Sequence, residues 1–171
     1  RALLIGDIVG TPGRKIVEAA VPALRASERL DVVIANAENI AAGSGITGAL
    51  AETPFKAGVD LLTMGDHVSG KREGIPFLEK DPRVVRPLNY PKEAIGRGLA
   101  FHECGDRGAL VGVLQVQGRV FMNPAECPFR AADEALEGGI REGEERLEGD
   151  DGPVERGPLG EGEGGEARDE G

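Results

Sequence analysis

The chain has 171 residues, a formal net charge of −10 and two cysteines. The length suits one domain of ordinary size, and two cysteines 23 positions apart, Cys104 and Cys127, exclude a disulfide framework or a CxxC zinc knuckle, so both are expected as reduced thiols. The acidic balance argues against wrapping duplex nucleic acid; with no apolar run of ~18 residues and no basic leader at the start, neither a membrane span nor a signal peptide is expected, and the expected compartment is the cytoplasm.

In chain order, Ala2-Leu3-Leu4-Ile5 is a continuous apolar run ending at Gly6-Asp7, which predicts a buried parallel strand reaching a loop. Thr11 is expected to cap the following helix, with Pro12 at its first position. Ile16, Val17, Ala20 and Leu24 then recur at helical spacing to about Leu30, with Pro22 as a kink point. A second strand over residues 32–35 runs into Asn36-Ala37-Glu38-Asn39, and a glycine-containing loop to Gly45 leads to a helix over residues 47–57. A third strand, predicted over residues 59–64, ends in Gly65-Asp66-His67. Strands alternating with helices at this spacing imply βαβ units, right-handed crossovers and a parallel sheet, so the predicted fold class is α/β.

Residues 71–79 are then predicted helical, residues 84–86 a short strand, and residues 99–103 and 109–115 a strand pair turned at Gly105-Asp106-Arg107-Gly108, the sheet continuing to about Val120. Val120 and Phe121 are expected in core packing, Pro124 and Pro128 in turns, and Phe129 begins a helix to about Leu136. From Gly138 the composition changes. Residues 138–171 hold 12 acidic and 4 basic side chains, net −8 of the total −10, with 11 glycines and only five apolar residues. Such a segment cannot bury enough surface to offset its ordering entropy. The expected division is therefore a folded part, residues 1–137, and a disordered low-complexity tail, residues 138–171.

Three successive strands end in groups that bear chemistry: Asp7 after the first, Glu38 and Asn39 after the second, Asp66 and His67 after the third. In an open parallel sheet these carboxyl ends lie side by side, where ligands bind. Three carboxylates gathered there repel one another unless cations neutralise them, which suits divalent metals. Two metals about 3.5–4 Å apart can hold a phosphate and acidify a water between them. His67, with an ordinary pKa near about 6.5, could protonate a leaving oxygen. Each strand end alone could equally be a helix cap or a turn. A dinucleotide fold would want GxGxxG in the first turn, and a haloacid-type phosphatase would want Asp-x-Asp-x-Thr where Asp7 is followed by Ile8 and Val9.

The segments Gly6-Asp7-Ile8-Val9-Gly10 with Pro12-Gly13-Arg14, Asn36-Ala37-Glu38-Asn39, Gly45-Ile46-Thr47, Gly65-Asp66-His67, Arg86-Pro87-Leu88-Asn89-Tyr90-Pro91 and Gln117-Gly118-Arg119-Val120-Phe121-Met122 together resemble the YmdB-like branch of the calcineurin-like metallophosphoesterases, from Arg1 to about Leu136. The resemblance implies a four-layer α/β/β/α fold, here truncated, and a centre of two divalent ions, iron or manganese, hydrolysing phosphodiesters of the 2′,3′-cyclic nucleotide class. It also implies roles. Asp7 and Asn39 would hold one metal, Glu38 would bridge, Asp66 would hold the second and His67 would donate the proton. Asp66 departs from the asparagine that much of the family carries there; the added charge should tighten metal binding and make the bound water less acidic.

The family's remaining ligands are three histidines of its second half, and the chain's other histidine, His102, falls in a predicted strand and is expected to be an ordinary strand residue. The chain is accordingly read as the front half of such an enzyme, inactive alone, with a small cyclic phosphodiester as its partner and a homo-oligomer of the full-length parent left open. The acidic stretch from Gly138, beginning inside a helix, is what a shifted reading frame would produce, an authentic acidic tail being the other reading. A non-catalytic acidic interaction protein and a nucleotide-binding α/β domain are the alternative functions.

Overall fold

The structure, a computed structural model, describes residues 1–104 and 109–149, with side chains through Gly138. Four parallel strands form one sheet in the order β1-β2-β3-β4: β1 (Ala2–Asp7), β2 (Val32–Asn36), β3 (Leu61–Thr63) and β4 (Val84–Val85). Helices α1 (Gly10–Glu28), α2 (Gly48–Ala57) and α3 (Ile75–Lys80) connect them. An antiparallel pair follows, β5 (Leu99–Cys104) and β6 (Ala109–Leu114), then α4 (Pro128–Gly149). Single parallel bridges, Val85 to Arg97 and Pro87 to Gln115, tie this pair to the end of β4. The expected turn at residues 105–108 and the tail from residue 150 lie outside the described residues.

Pleating assigns the two faces of the parallel sheet. Val33, Ala35 and Leu62 point to a core shared with Val17 and Val21 of α1 and Ala51 of α2. Leu61 and Val85 point the other way, against Ala100 of β5 and Val113 of β6. β2 and β3 are thus covered on both faces, which is why their sequences are continuously apolar rather than alternating. α4 packs against β6.

Several expectations are corrected. β1 is an edge strand, not a buried one. Among the described residues it pairs only with β2, so Leu3 and Ile5 pack on the core while Leu4 is 73% exposed. Helix α1 takes Val9 rather than Thr11 as its N-cap, without a side-chain bond. The chain turns at Gly10, whose φ of +53° is open to glycine and whose N–H donates to the Asn39 carbonyl at 3.0 Å. Thr11 already lies inside the helix and accepts from Arg14 Nη2 at 2.9 Å. By contrast Thr47 does cap α2, accepting from the Leu50 N–H at 3.3 Å. β3 is shorter than residues 59–64, and residues 71–79 form a 3-10 turn, Arg72–Gly74, before α3 begins.

The second sheet stops at Leu114 instead of reaching Val120, and Val120 is 78% exposed with Phe121 fully so. The cause is Asn89, itself 1% exposed. Its Oδ1 accepts from the Gln117 N–H at 2.8 Å and its Nδ2 donates to the Gln117 and Glu126 carbonyls, both at 2.9 Å. Backbone groups that would extend the ladder are taken up by one side chain, and the segment between them loops into solvent. The helix starting at Pro128 continues through Gly149 instead of ending near Leu136, because Leu, Glu and Arg are strong helix formers whose summed propensity outweighs the cost of Gly138, Gly139 and Gly143.

Asn89→Ala removes three part-buried hydrogen bonds and leaves a cavity where a fully buried amide stood, so it is expected to cost roughly 3 kcal/mol of stability. A denaturant titration checks this. A cost under ~1 kcal/mol would show that water replaces the amide without loss.

Candidate metal centre

The carboxyl ends of β1, β2 and β3 come together as the strand order requires. In β1 the register slips between Ile5 and Asp7, so that Asp7 pairs with Asn36; such an irregularity re-aims the side chain at the strand's end. Asn39 Nδ2 donates to Asp7 Oδ2 at 2.8 Å. Beyond β2, the Glu38 N–H donates to Asn36 Oδ1 at 3.3 Å and the Asn36 amide donates to Glu38 Oε1 at 3.4 Å. The other carboxylate oxygen, Oε2, accepts from the His67 N–H at 3.3 Å. The loop carrying Glu38 and Asn39 is braced from behind. Arg14 of α1 donates to the Ile40 carbonyl at 2.6 Å, and the Asn39 carbonyl accepts from Gly10 and Gly43 at 3.0 and 2.9 Å.

Asp66 and His67 lie on a short 3-10 turn, Asp66–Ser69, directly after β3. His67 Nδ1 is 2.6 Å from Asn39 Oδ1, and His67 Nε2 is 3.8 Å from Asp66 Oδ2. The direction of the chain of bonds sets the tautomer. Asn39 gives its amide hydrogens to Asp7, so its oxygen faces His67 and accepts, which places a proton on Nδ1 and leaves Nε2 as the variable site. One ligand atom from each of Glu38, Asp66 and His67 lies within 4.8 Å of the others. Asp7 joins this group through Asn39. All five predicted residues therefore occupy one edge, with Asp7 and Asp66 exposed and Glu38, Asn39 and His67 half-buried.

The donor set fits a divalent cation: carboxylates from the ends of neighbouring strands with no basic side chain ion-paired to Glu38 or Asp7 among the described residues. One feature stands against the expected ligand set. The oxygen by which Asn39 would coordinate is engaged by His67, so coordination there requires the imidazole to turn away.

Gly65 was not singled out by composition or spacing. A Cβ at this position would come within 2.6 Å of the Glu38 carboxyl carbon, so the absent side chain is what lets that carboxylate stand over the turn. Gly65→Ala is expected to displace Glu38 and weaken Mn²⁺ binding by roughly 10–100-fold, the range seen when groups that orient ligands are lost. A Mn²⁺ titration of the folded variant checks this, and unchanged affinity would mean that Glu38 contributes nothing to an ion.

Tyr90 is a second addition. It follows β4, the next strand along the same edge, and its phenol is pushed above the usual range first by burial and then by the charges of Asp66 and Glu38. Its place after a fourth strand end and its position within the resembling segment from Arg86 to Pro91 were the signals that could have flagged it. His102 stays outside the site: it lies in β5, its Nε2 3.6 Å from Asp60 Oδ1, while Asp60 Oδ2 accepts from Arg25 Nη1 and the Val33 N–H, each at 2.7 Å. Asp60 precedes β3, so this cluster sits at the opposite end of the sheet.

Known proteins resemble the chain over most of its length. The family model described as YmdB-like protein matches residues 3–146, ten residues further than the resemblance read to Leu136. Over 136 residues the chain is 38% identical to the 2′,3′-cyclic-nucleotide 2′-phosphodiesterase of Bacillus subtilis (strain 168), covering 80% of this chain and 51% of that protein. A crystal structure of a hypothetical protein from Thermus thermophilus superposes with a TM-score of 0.74 at 42% identity, over 80% of this chain and 52% of the other. A novel phosphatase from Mycoplasma pneumoniae superposes with a TM-score of 0.72 at 27% identity, over 79% and 50%. The chain thus spans about half the length of each.

Proposed function

The chain belongs to the YmdB-like family, and on that premise we propose that its carboxyl edge is the acidic side of a two-ion centre for hydrolysing small phosphodiesters, 2′,3′-cyclic nucleotides first among them. The observation that carries this is the convergence of Glu38, Asp66 and His67 within 4.8 Å. Asp7 and Asn39 would hold one ion, Asp66 the other, with Glu38 between them; iron or manganese is the expected metal, and a set of oxygen donors suits manganese. Such ions, when bound, would neutralise the phosphodiester and acidify water.

The chain's own groups have defined tasks. Glu38 presents two oxygens, each already oriented by a hydrogen bond, so neither needs to reorganise on binding. His67 Nδ1 is 2.6 Å from Asn39 Oδ1 and its Nε2 is 3.8 Å from Asp66 Oδ2, and the ring would supply the proton for the leaving oxygen. The covering of the parallel sheet by α1 and α2 on one face and by β5–β6 on the other, with α4 against β6, supports the four-layer reading. Residues 1–137 would then be the front part of the metallophosphoesterase domain.

Titrating the chain with 2′,3′-cyclic AMP in the presence and absence of Mn²⁺ tests the proposal. Binding that depends on Mn²⁺ is expected, and binding indifferent to Mn²⁺ would favour a plain nucleotide-binding domain. Since the chain brings one imidazole to the edge, little hydrolysis is expected; robust turnover by this chain alone would contradict its reading as an incomplete enzyme.

A further inference from the structure

We infer that the groove between the exit of β4 and the start of α4 receives the nucleoside part of the substrate, an inference that rests on the two-ion centre proposed above. Residues 88–93 leave β4 at the same sheet edge as the acidic cluster and form one wall. The opposite wall is the stretch from Glu126 to Glu134, and together they line an open groove of about 470 Å³, a size common among small-molecule sites.

Three observations carry the assignment. The walls are built rather than accidental: buried Asn89 donates to the Glu126 carbonyl and its own carbonyl accepts from the Glu126 N–H, both at 2.9 Å, so the floor is closed. Tyr90 belongs to the groove wall and also lines a smaller pocket with Val68 and Ser69 of the turn that begins at Asp66, so the groove and that turn adjoin across one ring. The lining is also mixed in the way a nucleoside requires. Tyr90, Pro91 and Ala131 offer flat apolar surface for a base, while Lys92, Arg130 and Glu134 offer charged donors and acceptors for ring nitrogens and sugar hydroxyls. A phosphate held at the acidic edge would extend its organic substituent past Tyr90 into this space.

The test uses the Mn²⁺-loaded chain and three probes, 2′,3′-cyclic AMP, bis(p-nitrophenyl) phosphate and orthophosphate, with Ala131→Trp to fill the groove and Arg130→Glu to reverse a charge on its wall. Both variants are expected to weaken 2′,3′-cyclic AMP by about tenfold or more while orthophosphate stays within about twofold. The wild type is expected to prefer the nucleotide over the aryl diester. Nucleotide affinity unaltered in both variants, or nucleotide and orthophosphate weakened together, would overturn the groove assignment alone. If the wild type binds neither Mn²⁺ nor orthophosphate, the two-ion centre falls and the groove assignment with it.

Discussion

Glu38→Ala is expected to weaken Mn²⁺ binding by at least roughly 100-fold, more than the 10–100-fold usual for groups behind the ligands. Glu38 stands at the centre of the edge, its Oε1 oriented by Asn36 and its Oε2 by the His67 N–H. Its neighbours Asp7 and Asp66 are each assigned to one of the two ions, so neither is left over to replace it. Without metal, the same substitution should leave stability unchanged or slightly raised, because it removes one of three mutually repelling charges. Isothermal titration together with thermal melts separates these effects. A variant that loses metal and fold alike would reduce Glu38 to a structural residue.

In the full-length parent enzyme, His67→Ala is expected to keep the metal and to cut phosphodiester turnover by roughly 10²–10⁴-fold, the usual worth of a positioned general acid. Nδ1 is 2.6 Å from Asn39 Oδ1; when Asn39 turns that oxygen to an ion, the ring is released to reach a leaving oxygen. Removing the ring also frees Asn39 Oδ1, the atom by which Asn39 would coordinate, so metal affinity should not fall. Metal content measured beside turnover decides the role. Loss of metal in this variant would reassign His67 as a ligand, which its grouping with Glu38 and Asp66 also permits.

The candidate site was legible because its residues lie at strand ends, where a parallel sheet forces neighbours together. Asp7, Glu38, Asn39, Asp66 and His67 needed only the strand order, which the βαβ spacing supplies. What escaped depends on contacts distant in sequence. Gly65 matters for the carboxylate standing over it, 27 positions earlier, and Tyr90 for a fourth strand of only two residues. The same limit explains the fold errors. Val120 and Phe121 look like core by hydrophobicity, yet a buried Asn89 holds the backbone at Gln117 and Glu126 and sends the intervening loop outward. β1 is apolar throughout, but its burial depends on a neighbour beyond it, and among the described residues only β2 pairs with it. Helix α4 passes Gly138 because propensity acts over a window rather than at single glycines.

The most direct measurement is the stoichiometry of Mn²⁺ bound to the purified chain, read by titration and by electron paramagnetic resonance. Two ions per chain with a spin-coupled signal are expected, both lost in Glu38→Ala. Binding of no ion, or of a single ion indifferent to Asp7→Ala and Glu38→Ala, would contradict a shared metal centre at the carboxyl edge of this sheet.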